Sequence, residues 1–112
     1  MSKKSNNFGV KLDANGYAPS IMQEDMTRCY MCGRTDRKLD RHEPFGGALR
    51  EKSKKYGLWV LLCHEDCHEG RNGAHREAKI NEELKRDAQL WAMYEYKWDK
   101  GDFIREFGKN YL

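Results

Sequence analysis

The most regular hydrophobic period lies in the C-terminal half, where Ile80, Leu84, Ala88, Trp91 and Trp98 recur at steps of three, four or seven. That spacing lays one apolar stripe along a helix and predicts a helix from about residue 75 to residue 98. Upstream, residues 56–62 form an unbroken run, Tyr-Gly-Leu-Trp-Val-Leu-Leu, of strand length and rich in aromatic and branched side chains, which predicts a buried β-strand. Residues 39–43 predict a partner strand, cut off by the loop Pro44-Phe45-Gly46-Gly47 because proline disfavours helix before it and glycine permits unusual backbone paths. The polar segment 50–55 reads as a loop or short helix, so the two strands form a hairpin with a long basic connection. Past the long helix, Asp99-Lys-Gly-Asp102 interrupts the pattern. Asp102 is a suitable N-cap for a short last helix over residues 103–107, closed by Gly108. Residues 1–20 are polar and rich in Gly, Asn and Ser, and predict a flexible leader before one domain over residues 21–112. The predicted class is α+β.

Composition narrows this further. A chain of 112 residues with 38% hydrophobic and 35% charged residues has little material for a core, so an internal staple would help it fold. No stretch approaches the roughly 18 apolar residues that would span a bilayer, and no apolar signal region follows the N-terminus. The expectation is a soluble, cytoplasmic protein with no membrane partner. The formal net charge is +3, falling to about +1 for a form with four thiolates and one zinc ion. Distribution says more than the total: Arg34, Arg37, Lys38, Arg41, Arg50, Lys52, Lys54 and Lys55 crowd one stretch against Asp36, Asp40, Glu43 and Glu51. A polyanion would dock there.

The candidate chemistry lies in the same region. All 4 cysteines and all 4 histidines fall between Cys29 and His75. Cys29-x-x-Cys32-Gly33 has the form of a zinc knuckle, two thiolates able to reach one tetrahedral ion while Gly33 supplies the turn. Cys63-x3-Cys67 supplies the second pair, and two close pairs fit zinc better than disulfides where nothing suggests secretion. His68 directly follows Cys67 and is an alternative fourth zinc ligand. His64 reads as solvent-facing, and Trp91, Tyr94 and Trp98 read as packing residues of the helix.

Four pieces, Cys29-x-x-Cys32-Gly33, His42-Glu43-Pro-Phe-Gly46-Gly47, Leu62-Cys63-x3-Cys67-His68 and the later His75, resemble the HNH family of nucleases, above all its short phage- or prophage-encoded members with a four-cysteine zinc site. The ending, from Phe103 to Leu112, resembles the C-terminus of those small proteins, so the likeness covers about residues 28–112. The resemblance implies a ββα-metal fold: a zinc-stapled β-hairpin packed on a helix, with a long C-terminal helix and a short final one. It implies metal-dependent hydrolysis of DNA phosphodiester bonds by a bacterial-host enzyme carrying structural zinc and a catalytic Mg²⁺ or Mn²⁺. His42 maps to the family's base, and His68 and His75 to ligands of the catalytic ion. Arg41, Arg50, Lys54 and Lys55 would grip phosphates without reading sequence. The motif departs from the family at Arg41-His42-Glu43, since Arg41 cannot bind metal. Either His42 is the base with Glu43 helping to hold metal or water, or His42 is a ligand and Glu43 takes the base position. The competing reading is a non-catalytic zinc module that binds DNA or a phage protein.

Overall fold

The computed structural model describes residues 5–68 and 78–112. Its sheet is a two-stranded antiparallel hairpin, β1 (Leu39–His42) and β2 (Val60–Cys63), with Leu39 opposite Cys63 and His42 opposite Val60. A 3₁₀ turn (Gly47–Leu49) and helix α1 (Arg50–Lys55) connect the strands. A wide π-type turn (His64–His68) leaves β2, and helices α2 (Ala78–Tyr96) and α3 (Lys100–Phe107) complete an α+β architecture with a long C-terminal helix.

The second strand is shorter than the apolar run predicted. Tyr56 and Gly57 form the turn that ends α1, with Gly57 at φ 74°. A Cβ at Gly57 would stand 2.4 Å from the Pro19 carbonyl oxygen, so only glycine lets the N-terminal arm come this close. Tyr56 is fully buried against Tyr96, Trp98 and Phe107 rather than paired in the sheet.

Residues 5–20 are not the loose leader their composition suggested. Asn6 donates to the Lys55 carbonyl, the Trp59 indole donates to the Ala18 carbonyl, Ser20 donates to the Trp59 carbonyl, and Ile21 N–H donates to Gly57. The Asn, Asp and Gly content here is turn chemistry. Asn6 Oδ1 accepts from the N–H groups of Phe8 and Val10, and Asp13 Oδ1 from those of Asn15 and Tyr17, while Gly9 and Gly16 take positive φ.

On α2 the inward stripe is Leu84, Ala88 and Ala92, with Ile80 partly buried beside it. The predicted stripe passed through Trp91, but Ala92 holds the four-residue phase, and both Trp91 and Tyr94 lie exposed, Tyr94 at 77%. The helix stops at Tyr96, followed by Lys97 at φ 56°. α3 starts three residues earlier than predicted. Asp99, not Asp102, is the N-cap; it accepts from Asp102 N–H, and Asp102 accepts back from Asp99 N–H in a reciprocal capping box. Gly108, at φ 89°, closes the helix as predicted.

Phe45, from the Pro-Phe-Gly-Gly loop, is buried against Phe107 and Phe103, which stack on one another along α3. This aromatic group joins Leu58, Val60, Leu62, Cys63 and the α2 stripe in one core. Buried Gln89 ties the C-terminal tail to α2 through Asn110 and the Tyr111 N–H. Among the described residues no helix is long and apolar enough to cross a membrane.

Candidate metal centres and active site

The knuckle is set by its backbone. Gly33 at φ 74° lets its N–H return to the Cys29 carbonyl, the Cys32 N–H points at Cys29 Sγ at 3.5 Å, and Tyr30 N–H hooks the turn onto Leu61 of β2. Cys63 ends β2, and the wide turn brings Cys67 round to it. The four sulfurs lie within 4.8 Å of one another. Cys32 and Cys63 are 3.7 Å apart, far beyond a disulfide bond. Sulfurs bound tetrahedrally at about 2.3 Å from one ion would be about 3.8 Å apart, so the spacing suits a shared ion.

Electrostatics agree. Burial pushes the Cys29 thiol up, but the backbone N–H groups of Cys32, Cys63 and Met31 outweigh it and hold the thiol below its usual range. Burial and the neighbouring sulfurs raise the Cys67 thiol instead, because four thiolates cannot share this space without a cation. A divalent ion at their centre removes that conflict. Cys67 belongs to the sulfur group, whereas His68 contacts Asp40, so the fourth donor of the sulfur group is the cysteine.

A second group adjoins the first. Asp40, His64 and His68 place one donor atom each within 4.8 Å of one another. Asp40 Oδ2 lies 2.9 Å from His68 Nδ1 and is also in contact with His64 Nδ1. His64, expected to face solvent, is therefore engaged. Burial raises the Asp40 carboxyl, and the hydrogen bonds and charge of His64 and His68 more than reverse it, leaving the carboxyl below its usual range. His42, two residues along β1 from Asp40 and so on the same strand face, is buried. Its ring meets the His68 ring edge-on with centroids 5.2 Å apart, and its Nε2 lies 3.4 Å from Asn81 Oδ1 on α2.

Glu43 is placed elsewhere. Its side chain is only 8% exposed, and its two oxygens accept from Arg50 Nε at 2.7 Å and from the Tyr17 hydroxyl at 2.9 Å. Among the described residues it belongs to neither donor group. Burial and the Glu43 carboxylate both raise the Tyr17 hydroxyl pKa, which keeps it a donor. The expected phosphate grip is also partly occupied. Arg41 stacks over Tyr17 and Trp59 and pairs with Asp13, while Arg50 pairs with Glu43. Lys54 lies over Tyr17 with its side chain only 12% exposed, and Lys55 lies over Tyr56. His75 lies outside the described residues.

Asp40, His64, Asn81 and Tyr17 were missed by sequence reasoning. Two of them carried a signal. Asp40-x-His42 has the period of a strand face, and Cys63-His64-x-x-Cys67-His68 is two overlapping pairs with equal spacing, one sulfur and one imidazole. Comparison of the chain with protein families, curated proteins and solved structures finds no match.

Proposed function

We propose that this protein is a metal-dependent endonuclease that hydrolyses DNA phosphodiester bonds, with structural zinc held by Cys29, Cys32, Cys63 and Cys67. The observation that carries this reading is the convergence of His42, His68 and Asp40 on one end of the hairpin beside the sulfur group. A zinc knuckle that only stabilised the fold would need none of those three. The order of hairpin and helix also follows the HNH resemblance.

In this reading His42 is the general base. It is held on a strand end by Asn81, so its imidazole can accept the proton of an attacking water. Asp40 lies against the His68 ring, and the two would hold a divalent ion beside His42. A divalent ion held there would supply positive charge to the scissile phosphate and to the leaving 3′ oxygen. Glu43, committed to Arg50 and Tyr17, fixes the exit from β1 and takes no part in proton transfer. Arg50, with its side chain 59% exposed, is the most accessible of the four expected phosphate contacts, and Arg41 lies nearby on the same arm-facing side. A non-catalytic zinc module that binds DNA or a phage protein is the second reading, favoured by the pairing of Glu43 with Arg50 and of Arg41 with Asp13.

Plasmid nicking by the purified chain with Mn²⁺ or Mg²⁺ tests the proposal. His42→Ala, still folded and zinc-loaded, should lose nicking by about a hundredfold or more, and a chelator should stop the wild type. A folded wild type that cuts no DNA form with any divalent ion would leave the binding module as the function.

A further inference from the structure

The turn after β2 carries two interleaved donor pairs. Cys63 and Cys67 bend back on the knuckle, and His64 and His68, each one residue further along, are carried round toward Asp40. The register explains why Asp40 is there. Leu39 pairs with Cys63, the ladder continues through His64 N–H to the Lys38 carbonyl, and Asp40 therefore sits one residue in from the point where the turn begins. A single carboxylate oxygen, Asp40 Oδ2, faces both Nδ1 atoms, and the Asp40 and His68 side chains are 18% and 11% exposed. His64 remains 43% exposed, which leaves the group open to solvent on one side.

We infer that Asp40, His64 and His68 form a second metal site, distinct from the four sulfurs, that favours a divalent transition-metal ion, zinc or cobalt before manganese, over Mg²⁺. Two imidazoles and one carboxylate suit such ions, whereas Mg²⁺ favours an oxygen shell and keeps its water. Three protein ligands with an open side are the arrangement of a site that admits water or a phosphate oxygen as a further ligand. The structural ion would position this site, because the turn that closes around the sulfurs is the turn that presents both imidazoles. As the identity of the catalytic ion the inference rests on the nuclease reading; as a binding site it stands alone, and binding and cleavage are measured separately.

The same contacts without an ion would make Asp40 an acceptor for two imidazole N–H groups, and one titration separates the two. The full chain, reduced and carrying one zinc, is titrated with Co²⁺ and followed by calorimetry and visible absorption. One further equivalent should bind with weak d–d bands and no sulfur charge-transfer band, and excess Mg²⁺ should not displace it. His64→Ala, which removes a partly exposed ring, and Asp40→Asn should each weaken Co²⁺ binding by about tenfold or more while keeping the zinc. The site is overturned if the wild type takes up no Co²⁺ or binds it only by displacing zinc. It is overturned equally if zinc-loaded His64→Ala and Asp40→Asn bind Co²⁺ as tightly as the wild type. Either result would leave the nuclease reading to the nicking assay, and DNA cleavage without this second equivalent would separate the two in the other direction.

Discussion

Glu43 follows His42 in the chain, yet the two side chains serve different parts of the molecule. His42 turns toward His68 and Asn81, while Glu43 turns toward Tyr17 and Arg50. Alternation along an extended backbone accounts for the split. It also separates their consequences. Tyr17→Phe removes one hydrogen bond to a nearly buried carboxylate and should lower stability by about 1.5 kcal/mol in urea unfolding while nicking continues. Loss of nicking by folded Tyr17→Phe would return Glu43 to the chemistry. The sulfur group was legible at this scale because two close cysteine pairs have the spacing that one tetrahedral ion can bridge. Asp40 was not, because its role depends on which strand face carries His42, and Tyr17 was hidden in an arm whose composition resembles a leader. His64 depended on the wide turn, which no local propensity announces.

At the scale of elements, the hairpin was visible as an apolar run, the long helix as a period and the final helix from its capping residues, while their edges were decided by tertiary contacts. Tyr56 and Gly57 read as strand by composition, but the close approach of Pro19 and the aromatic packing around Tyr56 take them for a turn. The helical stripe moved from Trp91 to Ala92 because steps of four keep one face: Ala92 follows Leu84 and Ala88 into the core, while Trp91 turns out to solvent. For α3 both aspartates were in view and the capping box chose the first. Asp99→Ala should therefore lower the stability of the chain by about 1 kcal/mol, read as a shift of the urea midpoint. An unchanged midpoint would mean that the aromatic packing of Phe103 and Phe107 holds α3 without its cap.

For the molecule as a whole, two short strands are marginal on their own, and here three attachments hold them. The sulfur group fastens one end to the knuckle, the arm crosses the chain at Trp59 just before β2, and Phe45 anchors the connecting loop to α3. The result is a rigid edge on which His42 and Asp40 face the imidazoles of the following turn. Four thiolates hold zinc more tightly than an open site of two imidazoles and a carboxylate holds its ion, so dialysis should empty the second site first. The central claim is that hydrolysis depends on an ion other than the structural one. The most direct measurement is the plasmid-nicking rate of the full chain dialysed to one zinc, before and after adding Mn²⁺. Nicking should be absent before the addition and restored by it, with the zinc content unchanged. Nicking by the one-zinc protein at its full rate, or none after Mn²⁺ is supplied to a folded chain, would contradict the claim.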